Sequence, residues 1–529
     1  MRRPTSRRAH GLLLALAIGV TSCSQASPTP TASPIPTATP SVAPSPSPTP
    51  VPPARFPLAV VTGLTNLKAW VTSAELASAA QAGTLVIPCA VQVIAPAVIA
   101  DLLTSSCTPA NEIAALLVAT PGTLALLPPA LVDPRTKSLP VDPSGPYSQG
   151  GADLFGNAVA RARPYPIHGE STTLPADWTA YDSSAIWTLM SLGDSCPARG
   201  VAYQAITLQK GWNWVMGGGT AEYDQVYPNP VPLEAIGGGY NIVAAHATGN
   251  EGAVGRLTSG ADVTIDDFEC PVITNFDVIG EMVFSIDPAV LPVMRSVLGV
   301  DVAYIAANHM TDHGPDGLRQ TREYFASSGI QTVGGGMNLA EALVPAIVEI
   351  HGIKIGFVAF NDVPGVMSAD ATSPGVPWIT EANVAEGIRL AKAAGAQVVF
   401  CDPQWWGGSE YHGDLQNDQV PQQEMFYALG CDHIVGAGTH NTGPFQLRKD
   451  ARGVHVTMAS AGNFLFGQDW SQETQEGVIM ELAFRGTEVV QARFHPYIVL
   501  FQAQADLINP ETDGHYLMER LWQASESSY

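Results

Sequence analysis

Several polar residues that could bind a metal ion stand at the ends of segments predicted to be β-strands. The carboxylates are Asp194 and Asp267, the amide is Asn308, and the imidazoles belong to His309 and His440. Oxygen and nitrogen ligands in this mixture bind Mn, Fe or Zn, and such ions activate water for attack. Because ligands converge on the ends of strands in α/β folds, we expect these side chains to form one site.

Each of these residues alone also has an ordinary structural interpretation. Asp194 could cap the turn that follows it, and Asn308 could satisfy loop backbone groups. An isolated histidine is more often a hydrogen-bonded core residue than a ligand. The prediction of a metal site therefore depends on the common position of these residues after strands.

Strands that alternate with helices must position these residues. Strands are predicted at 186–192, 263–267, 302–307, 398–401, 434–437 and 454–459, with hairpins at 347–360 and 477–494. The clearest helices are predicted at 315–328, 380–394 and 419–429, each followed by a glycine (Gly329, Gly395, Gly430) suited to a left-handed C-terminal position. The segment from about 180 to 529 is therefore predicted to be one large α/β domain.

A smaller α/β module is predicted before it, within 55–175. Short strands at 58–61, 84–87 and 124–127 alternate with Ala-rich helices at 73–81, 95–103 and 110–118. Its segment 70–76, together with 126–128, resembles half of a periplasmic solute-binding domain. The alternative is a packing or spacer domain without a ligand of its own.

The N-terminus has the pattern of an export signal. Four arginines precede the apolar run 11–20, which is too short to span a bilayer, and the run ends at Val20-Thr21-Ser22-Cys23. This resembles a bacterial lipobox, so residues 1–23 are expected to be a lipoprotein signal with Cys23 as the lipidated residue. The alternative is an ordinary cleaved signal with an incidental cysteine. Residues 24–54 are rich in Pro, Ser and Thr and are predicted to be an extended linker. We therefore expect an exported protein, lipid-anchored to the outer face of the bacterial cell membrane.

The charge of the chain restricts its partners. A formal net charge of −23 and a pI near 4.8 argue against nucleic acid and against electrostatic docking to anionic lipid. An anionic polymer would need a local basic pocket. No stretch after the signal is long and apolar enough to cross a membrane.

The cysteines other than Cys23 are even in number, which fits disulfides in an oxidising compartment. Proximity and motif position favour three pairs, Cys89 with Cys107, Cys196 with Cys270, and Cys401 with Cys431. Six cysteines allow fifteen pairings. Cys196 and Cys270 flank the predicted metal ligands, so they could instead be soft metal ligands.

Motifs between about 187 and 525 resemble, in order and spacing, the CapA-type poly-γ-glutamate capsule biosynthesis family. They are Leu192-Gly193-Asp194, Asp267-Phe268-Glu269, 307–314, 334–338, Trp406-Gly407 with Glu410-Tyr411, and 460–466. That family is similar to the calcineurin-like metallophosphoesterases. The resemblance implies a metallophosphatase β-sandwich flanked by helices, with Asn308 and His309 as catalytic residues.

Departures from the family pattern limit the chemistry that can be expected. Trp405 stands where the family has a histidine, and Ala437-Gly438-Thr439-His440 keeps only the last imidazole of the family's histidine-rich motif. Asp267 replaces a usual asparagine, and Asp402 is a possible substitute ligand. Because a dinuclear site needs about four protein ligands for each metal, we expect one weakly held divalent metal (Mn, Fe or Zn) or none.

A ligand cleft is expected around this reduced site, because aromatic rings can stack on sugars or on peptide chains. Its predicted members are Glu269, Asp312, Trp405, Trp406, Glu410 and Asn463. The alternative places Trp406 and Phe464 in the core.

Three functional hypotheses follow. The first is a membrane-anchored protein of capsule or exopolymer biosynthesis or export, which binds an anionic or cell-envelope polymer or membrane-bound synthesis machinery. The second is a metal-dependent phosphoesterase, amidase or peptidase that uses Asp194, Asn308, His309 and His440. The third is a surface solute-binding lipoprotein. The missing imidazoles favour the first.

Overall fold

The computed structural model describes residues 52–94, 107–144, 150–221, 249–280, 282–416 and 418–525. The predicted signal peptide, the lipidation site Cys23, most of the predicted linker and the predicted helix 95–103 lie outside the described residues. Within those ranges, none of the helices has the length and hydropathy needed to cross a membrane.

The described strands and helices alternate along most of the chain. The strands are β1 (Ala54–Pro57), β2 (Ala59–Gly63), β3 (Gln92–Ile94), β4 (Ala125–Leu127), β5 (Thr136–Ser138), β6 (His168–Ser171), β7 (Ile186–Cys196), β8 (Val263–Phe268), β9 (Val300–Tyr304), β10 (Gln331–Val333), β11 (Ala346–Ile350), β12 (Ile353–Asn361), β13 (Val398–Gln404), β14 (His433–Val435), β15 (Phe445–Asp450), β16 (Gly453–Met458), β17 (Asn463–Phe466), β18 (Glu476–Arg485), β19 (Glu488–Leu500) and β20 (Gln504–Leu507). The helices are α1 (Ser73–Gln81), α2 (Ala110–Ala119), α3 (Ala158–Arg161), α4 (Ala176–Thr179), α5 (Arg199–Ala202), α6 (Trp212–Gly217), α7 (Ala253–Thr258), α8 (Val290–Val293), α9 (Gly314–Ser327), α10 (Leu339–Ala342), α11 (Glu381–Ala393), α12 (Gln419–Leu429), α13 (Gln472–Gln475) and α14 (His515–Ala524).

Two mixed sheets form the large domain. The first has the order β10-β9-β8-β7-β18-β19-β20, with β17 also paired to β7. Its β7, β8, β9, β10 and β17 are parallel, whereas β18 to β20 are antiparallel neighbours. The second sheet has the order β11-β12-β13-β14-β16-β15, with a parallel centre and antiparallel edges.

The two sheets pack face to face through large apolar side chains. Phe400 of the second sheet meets Phe484 of the first at 6.1 Å between ring centroids, and Phe484 stacks on Trp187 at 4.1 Å. Helix α9 packs beside β10, and α11 and α12 pack on β12 to β14. The predicted α/β sandwich flanked by helices is therefore confirmed.

Local sequence explains the best-defined elements. Every residue of β7 is buried, as its apolar run predicts for a central strand. Thr380 caps α11 by accepting a hydrogen bond from the Asn383 N–H. The predicted glycines after α9, α11 and α12 all have positive φ, at +74°, +95° and +101°.

The N-terminal region forms two small sheets, β1-β6-β3 and β4-β2-β5. Helix α1 has the predicted bounds, because Thr72 and Glu75 form a capping box at its start. The predicted strand 84–87 is wrong. Val86 makes only one isolated bridge, to Ala125, and the chain then reaches Pro88, which has no N–H to donate.

This region packs on the first sheet of the large domain. Val61 and Leu127 share an apolar cluster with Ala483 of β18 and Val490 of β19. The described residues from 52 onward accordingly belong to one compact unit. The proposed boundary near 175–180 separates segments that share a core, and it stays a prediction.

The six cysteines pair as the sequence favoured. Cys89 bonds Cys107, Cys196 bonds Cys270, and Cys401 bonds Cys431, with Cα–Cα distances of 4.9, 5.3 and 6.2 Å. Cys196 and Cys270 are therefore not available as soft metal ligands. Their disulfide joins the end of β7 to the residues that follow β8.

Candidate metal centre

Three adjacent parallel strands bring the candidate ligands together. Asp194 lies in β7, in register with Asp267 of β8 on one side and Asn463 of β17 on the other. Glu269 follows the end of β8, and His440 lies on the loop after β14. One ligand atom from each of Asp194, Glu269 and His440 lies within 4.8 Å of the others, and all three side chains are buried.

The strand carrying Asp194 depends on a close backbone contact. A Cβ on Gly193 would lie 1.9 Å from the Gly462 carbonyl oxygen, so only glycine fits there. That carbonyl oxygen accepts a hydrogen bond from the Asp194 N–H at 2.9 Å. The contact fixes β17 against β7 and hence Asn463 beside the site.

Asn463 sets the orientation of His440. Its Nδ2 donates to Gln468 Oε1 and the Thr474 carbonyl oxygen at 3.0 and 2.9 Å, so its Oδ1 is turned toward His440 Nδ1, 2.9 Å away. Because Asn463 Oδ1 can only accept, His440 Nδ1 carries the proton of this hydrogen bond, which fixes the orientation of the ring. Nδ1 also lies 3.3 Å from Asp194 Oδ2.

Buried carboxylates are concentrated around this cluster. Asp266 in β8 and Asp402 in β13 are buried with Asp267 close to Asp194 and Glu269. Each of these acids has one buried oxygen without a hydrogen-bond partner, namely Asp194 Oδ1, Asp266 Oδ2, Asp267 Oδ2, Glu269 Oε2 and Asp402 Oδ2. Among the described residues, these carboxylates have one ion-pair partner, His440, which pairs with Asp194. If all five carboxyls were ionised, their negative charge would exceed the positive charge of His440.

Burial and the crowding of carboxylates shift the pKa values of the residues in this site. Burial, and then the charges of neighbouring acids, raise the pKa of Asp267 and Asp402 well above the ordinary range. Burial raises the pKa of Glu269 to about 6. Burial alone would lower the pKa of His440, but the charge of Glu269 and the hydrogen bond and charge of Asp194 raise it to about 9.

These residues fit a divalent cation. Buried carboxylate oxygens without partners are costly unless a cation or a proton neutralises them. Two carboxylates and one imidazole are a donor set that accepts Mn, Fe or Zn. Within the described ranges, Asp194, Glu269 and His440 are the one set of three or more carboxylate, imidazole or thiol side chains whose ligand atoms all lie within 4.8 Å of one another.

Of the other predicted ligands, His309 and Asp267 are not members of this group of carboxylates and imidazole, and Asn308 lies beside it. Asn308 and His309 follow β9 on a loop and are half-buried. Asn308 Oδ1 lies 3.4 Å from Gln404 Nε2, and His309 Nδ1 lies 3.1 Å from Asp312 Oδ2. Asp267 is buried but does not complete the three-residue group.

The aromatic cleft is only partly present. Trp405 is fully buried and packs in the apolar cluster with Phe426 and Ile434, so its predicted place in the cleft is wrong. The cause is its position just after β13, where its ring enters the core between that strand and the helices. Trp406 and Glu410 are half-buried, and Asn463 is fully buried.

Two functional neighbours were not among the predicted site residues. Gln404, the last residue of β13, donates through Nε2 to Glu269 Oε1 at 3.0 Å. The Gly438 N–H lies 3.3 Å from Asp194 Oδ2, and a Cβ on Gly438 would lie 2.9 Å from Gln404 Cδ. Gln404 stands at a strand end, as the predicted ligands do, and this position was the sequence signal that could have identified it.

The chain is similar to bacterial proteins of capsule synthesis. The family model described as bacterial capsule synthesis protein PGA_cap matches residues 188–468. The PGA biosynthesis protein CapA of Bacillus subtilis (strain 168) is 28% identical over 180 residues, covering 33% of this chain and 44% of that protein. The capsule biosynthesis protein CapA of Bacillus anthracis is 27% identical over 199 residues, covering 36% and 46%. The chain thus spans about half the length of the curated relatives it matches.

Solved structures with some likeness include two nucleotidases. The 5'-nucleotidase precursor of Thermus thermophilus is 11% identical, with 64% of this chain and 58% of that chain covered and a TM-score of 0.32. The NAD nucleotidase of Haemophilus influenzae is 11% identical, with 65% and 57% covered and a TM-score of 0.33. TM-scores this low establish neither a shared fold nor a shared activity.

Proposed function

Because the chain belongs to the family of bacterial capsule synthesis proteins matched at residues 188–468, we propose that it serves capsule or exopolymer biosynthesis or export, with a polymer of the poly-γ-glutamate type. We further propose that Asp194, Glu269 and His440 hold a single divalent cation. The observation that carries this proposal is the one buried group of carboxylate and imidazole ligands at the strand ends, among the described residues.

The residues around the cluster have separable roles in this proposal. Asp194 and Glu269 supply charge, and Asn463 fixes the His440 ring through its hydrogen bond to Nδ1. Gln404 fixes Glu269 through its hydrogen bond to Oε1. When bound, a divalent cation would neutralise the buried acids and act as a Lewis acid toward an anionic oxygen.

Burial of the cluster favours a binding or structural role over turnover of a polymer. Asp194 and Glu269 have no exposed surface, and His440 is 4% exposed. A polymer chain would meet the half-buried rim formed by Asn308, His309 and Glu410. This rim is where we propose contact with a cell-envelope polymer or with the synthesis machinery.

We also propose that the protein is exported and anchored to the outer face of the membrane through Cys23. The sequence 20–23 and the Pro-rich segment after it support this proposal.

A chromosomal substitution tests the function. Asp194→Asn removes one charge from the cluster without changing side-chain size, and the source bacterium carrying it should show less polymer at its surface. Asp316→Asn, an exposed acid on α9, is the matched control and should leave the polymer unchanged. Equal surface polymer in both strains and in the parent would contradict the proposal.

A second candidate is a metal-dependent hydrolase, favoured by the geometry of His309. Its Nδ1 lies 3.1 Å from Asp312 Oδ2, which also accepts the Phe284 N–H at 2.8 Å. A carboxylate on one ring nitrogen fixes the tautomer of the imidazole, as proton transfer by the other nitrogen requires. Hydrolysis of a generic phosphodiester or peptide substrate that is lost in His309→Ala would support this candidate, and no turnover above background would exclude it.

A further inference from the structure

A cavity of about 270 Å³ lies beside the loop that follows β14. Four segments line it, namely the loop after β13, the loop after β14, helix α13 and helix α14, and they contribute Asp414, Asn441, Glu473 and Arg520 respectively. A cavity of roughly 150 Å³ holds a benzene-sized molecule, so a small organic ligand fits here. None of the three proposed metal ligands belongs to the described lining, and the cavity is therefore separate from the metal centre.

The amide of Asn441 is buried in the wall of this cavity without a hydrogen bond. Asn441 is 2% exposed, and its Oδ1 has no partner within the described ranges. The Thr439 hydroxyl donates to the backbone carbonyl oxygen of Asn441 at 3.1 Å, which holds the backbone and leaves the amide unused. Buried polar groups in native proteins are paired with protein, water or ligand. Because no hydrogen bond in the described part of the chain fixes this amide, it can rotate and offer its oxygen to a ligand.

The charges of the wall favour a cation. Among the described residues that line the cavity, Arg520 is the one with a cationic side chain. Its Nη1 lies 3.4 Å from Glu473 Oε1 and its Nη2 lies 3.8 Å from Glu476 Oε2, so its charge is already shared with two acids. Asp414 is exposed, and its backbone carbonyl oxygen, not its carboxylate, accepts the hydrogen bond from Gln416 Nε2. Two lining carboxylates thus stand against one guanidinium, and negative charge of this kind attracts a cation.

The acceptors in the wall match an ammonium group better than a metal ion. An ammonium has three N–H donors and no acceptor, and Asp414, Asn441 and Glu473 supply acceptor oxygens from three segments. A metal ion needs its ligands within about 2.0–2.6 Å of one point. Within the described ranges, neither Asp414 nor Glu473 belongs to a group of three carboxylate, imidazole or thiol side chains with ligand atoms within 4.8 Å. The volume also leaves room for a carbon chain beside Gly413 and Ala524.

We propose that this cavity binds the terminal ammonium group of a primary aliphatic amine. The ammonium donates to the carboxylates of Asp414 and Glu473 and to Asn441 Oδ1. The carbon chain lies against Gly413 and Thr442. This site goes beyond the proposed role in capsule biosynthesis, and it needs no metal ion.

Calorimetric titration of the purified full-length chain with butan-1-amine tests the site. A metal chelator is present, and about 0.15 M salt screens charges more than about 8 Å away. We expect saturable binding at one site. Butyl(trimethyl)ammonium has the same charge and carbon chain but no N–H group, so it should bind at least about tenfold more weakly. Equal binding of the two cations would show attraction by net charge alone and would overturn the proposal.

Three substitutions separate this site from the rest of the molecule. Asp414→Asn keeps the side-chain size, removes a charged acceptor and should weaken butan-1-amine binding by about tenfold. Asp316→Asn, an exposed acid on α9, is the matched control and should bind as the parent does. Asp194→Asn should also bind as the parent does, so loss of the metal centre and loss of the amine site are distinguishable. Parent-like binding by Asp414→Asn would contradict the assigned acceptors.

A filled cavity gives the opposing result. A Cβ on Gly413 would make an ordinary contact, 3.6 Å from the Thr442 carbonyl oxygen, so Gly413→Leu is tolerated and should abolish binding. Gly122→Leu, at an exposed glycine whose Cβ would meet nothing within 4 Å, should bind as the parent does. If Gly413→Leu lowers the thermal midpoint, Gln523→Trp at the exposed rim replaces it. Absent saturation by butan-1-amine, saturation by Ca²⁺ in its place, or binding that persists in the filled-cavity variant would overturn the proposal.

Discussion

Single residues at the metal centre are held by contacts that leave no room for a methyl group. Gly193→Ala would drive a Cβ into the Gly462 carbonyl oxygen, 1.9 Å away, and push β17 from β7. We expect a loss of about 1–3 kcal/mol in the free energy of unfolding, as for other overpacked positions. We also expect weaker metal binding, because β17 carries the Asn463 that orients His440. Urea unfolding and metal titration measure the two effects.

Gly122→Ala is the control for that substitution. A Cβ at Gly122 meets nothing within 4 Å. Unchanged stability and metal affinity are expected there. Equal behaviour of the Gly193 and Gly122 variants would show that the close strand contact does not matter.

Asp506 in β20 gives a pH-dependent prediction. Burial raises its pKa to about 7, against a partial offset from the Gly219 N–H, and its Oδ2 has no hydrogen-bond partner. A raised carboxyl pKa means that the folded state binds the proton more tightly. Its contribution to stability is therefore lost as pH rises from about 4 toward 7, on the order of 1.4 kcal/mol per pH unit.

Asp506→Asn should remove that loss, so the variant should gain stability over the parent at pH 8 relative to pH 5. Urea unfolding at the two pH values measures the difference. Asp513→Asn, an exposed neighbour, should show no such gain. A difference between parent and Asp506→Asn that is the same at both pH values would contradict the raised pKa.

The kinds of ligand could be predicted from the sequence, but the composition of the set could not. Asp194 and His440 were predicted and belong to the three-residue group, whereas Glu269 takes the place given to Asp267. The choice depends on where β8 ends, which sequence patterns place only within a residue or two. Gln404 and Asn463 act by hydrogen bonds between distant segments, and those follow from tertiary packing.

Among the elements, the disulfide between β7 and the end of β8 is the most direct support of the site. Cys196 lies two residues after Asp194, and Cys270 follows Glu269. Replacing both cysteines with serine should cost about 2–4 kcal/mol in stability. It should also weaken metal binding, because two ligand-bearing segments lose their covalent link.

The matched control is the pair Cys89→Ser and Cys107→Ser in the N-terminal region. It should lower stability by a similar amount and leave metal affinity unchanged. Thermal unfolding and metal titration of both double variants provide the comparison. Equal metal affinity in all three proteins would show that the Cys196–Cys270 bond has no role at the site.

Elements with strong local signals were predicted well. Helices 73–81 and 419–429 have the predicted bounds, because capping residues or a following glycine mark their ends. The strand predicted at 302–307 instead spans Val300–Tyr304, so Asn308 and His309 do not follow the strand directly as predicted. The strand at 84–87 failed because strand formation depends on partners as well as on local composition.

For the whole molecule, the sequence predicted a sandwich flanked by helices but not how the N-terminal region would meet it. The shared cluster of Val61 and Leu127 with Ala483 and Val490 joins segments hundreds of residues apart. The bond from the Ser138 N–H to Gln491 Oε1 does the same. Contacts at such separations leave no periodic signal in the chain.

Anchoring is also a property of the whole molecule. Cys23→Ser should abolish lipidation and release the exported protein from membranes, because the apolar run 11–20 is too short to remain as an anchor. Membrane fractionation and mass measurement of the N-terminus test this. Ser24→Ala, at the next position, should remain in the membrane fraction. A processed Cys23→Ser protein that stays with membranes would contradict the lipobox interpretation.

The metal content of the purified full-length chain tests the central claim most directly. Elemental analysis after equilibration with Mn, Fe or Zn should find about one equivalent of divalent cation, since one group of three ligands is present in the described residues. Asp194→Asn should lose it, and Asp316→Asn should keep it. Two tightly held equivalents, or one equivalent that survives in Asp194→Asn, would contradict a single cation at Asp194, Glu269 and His440.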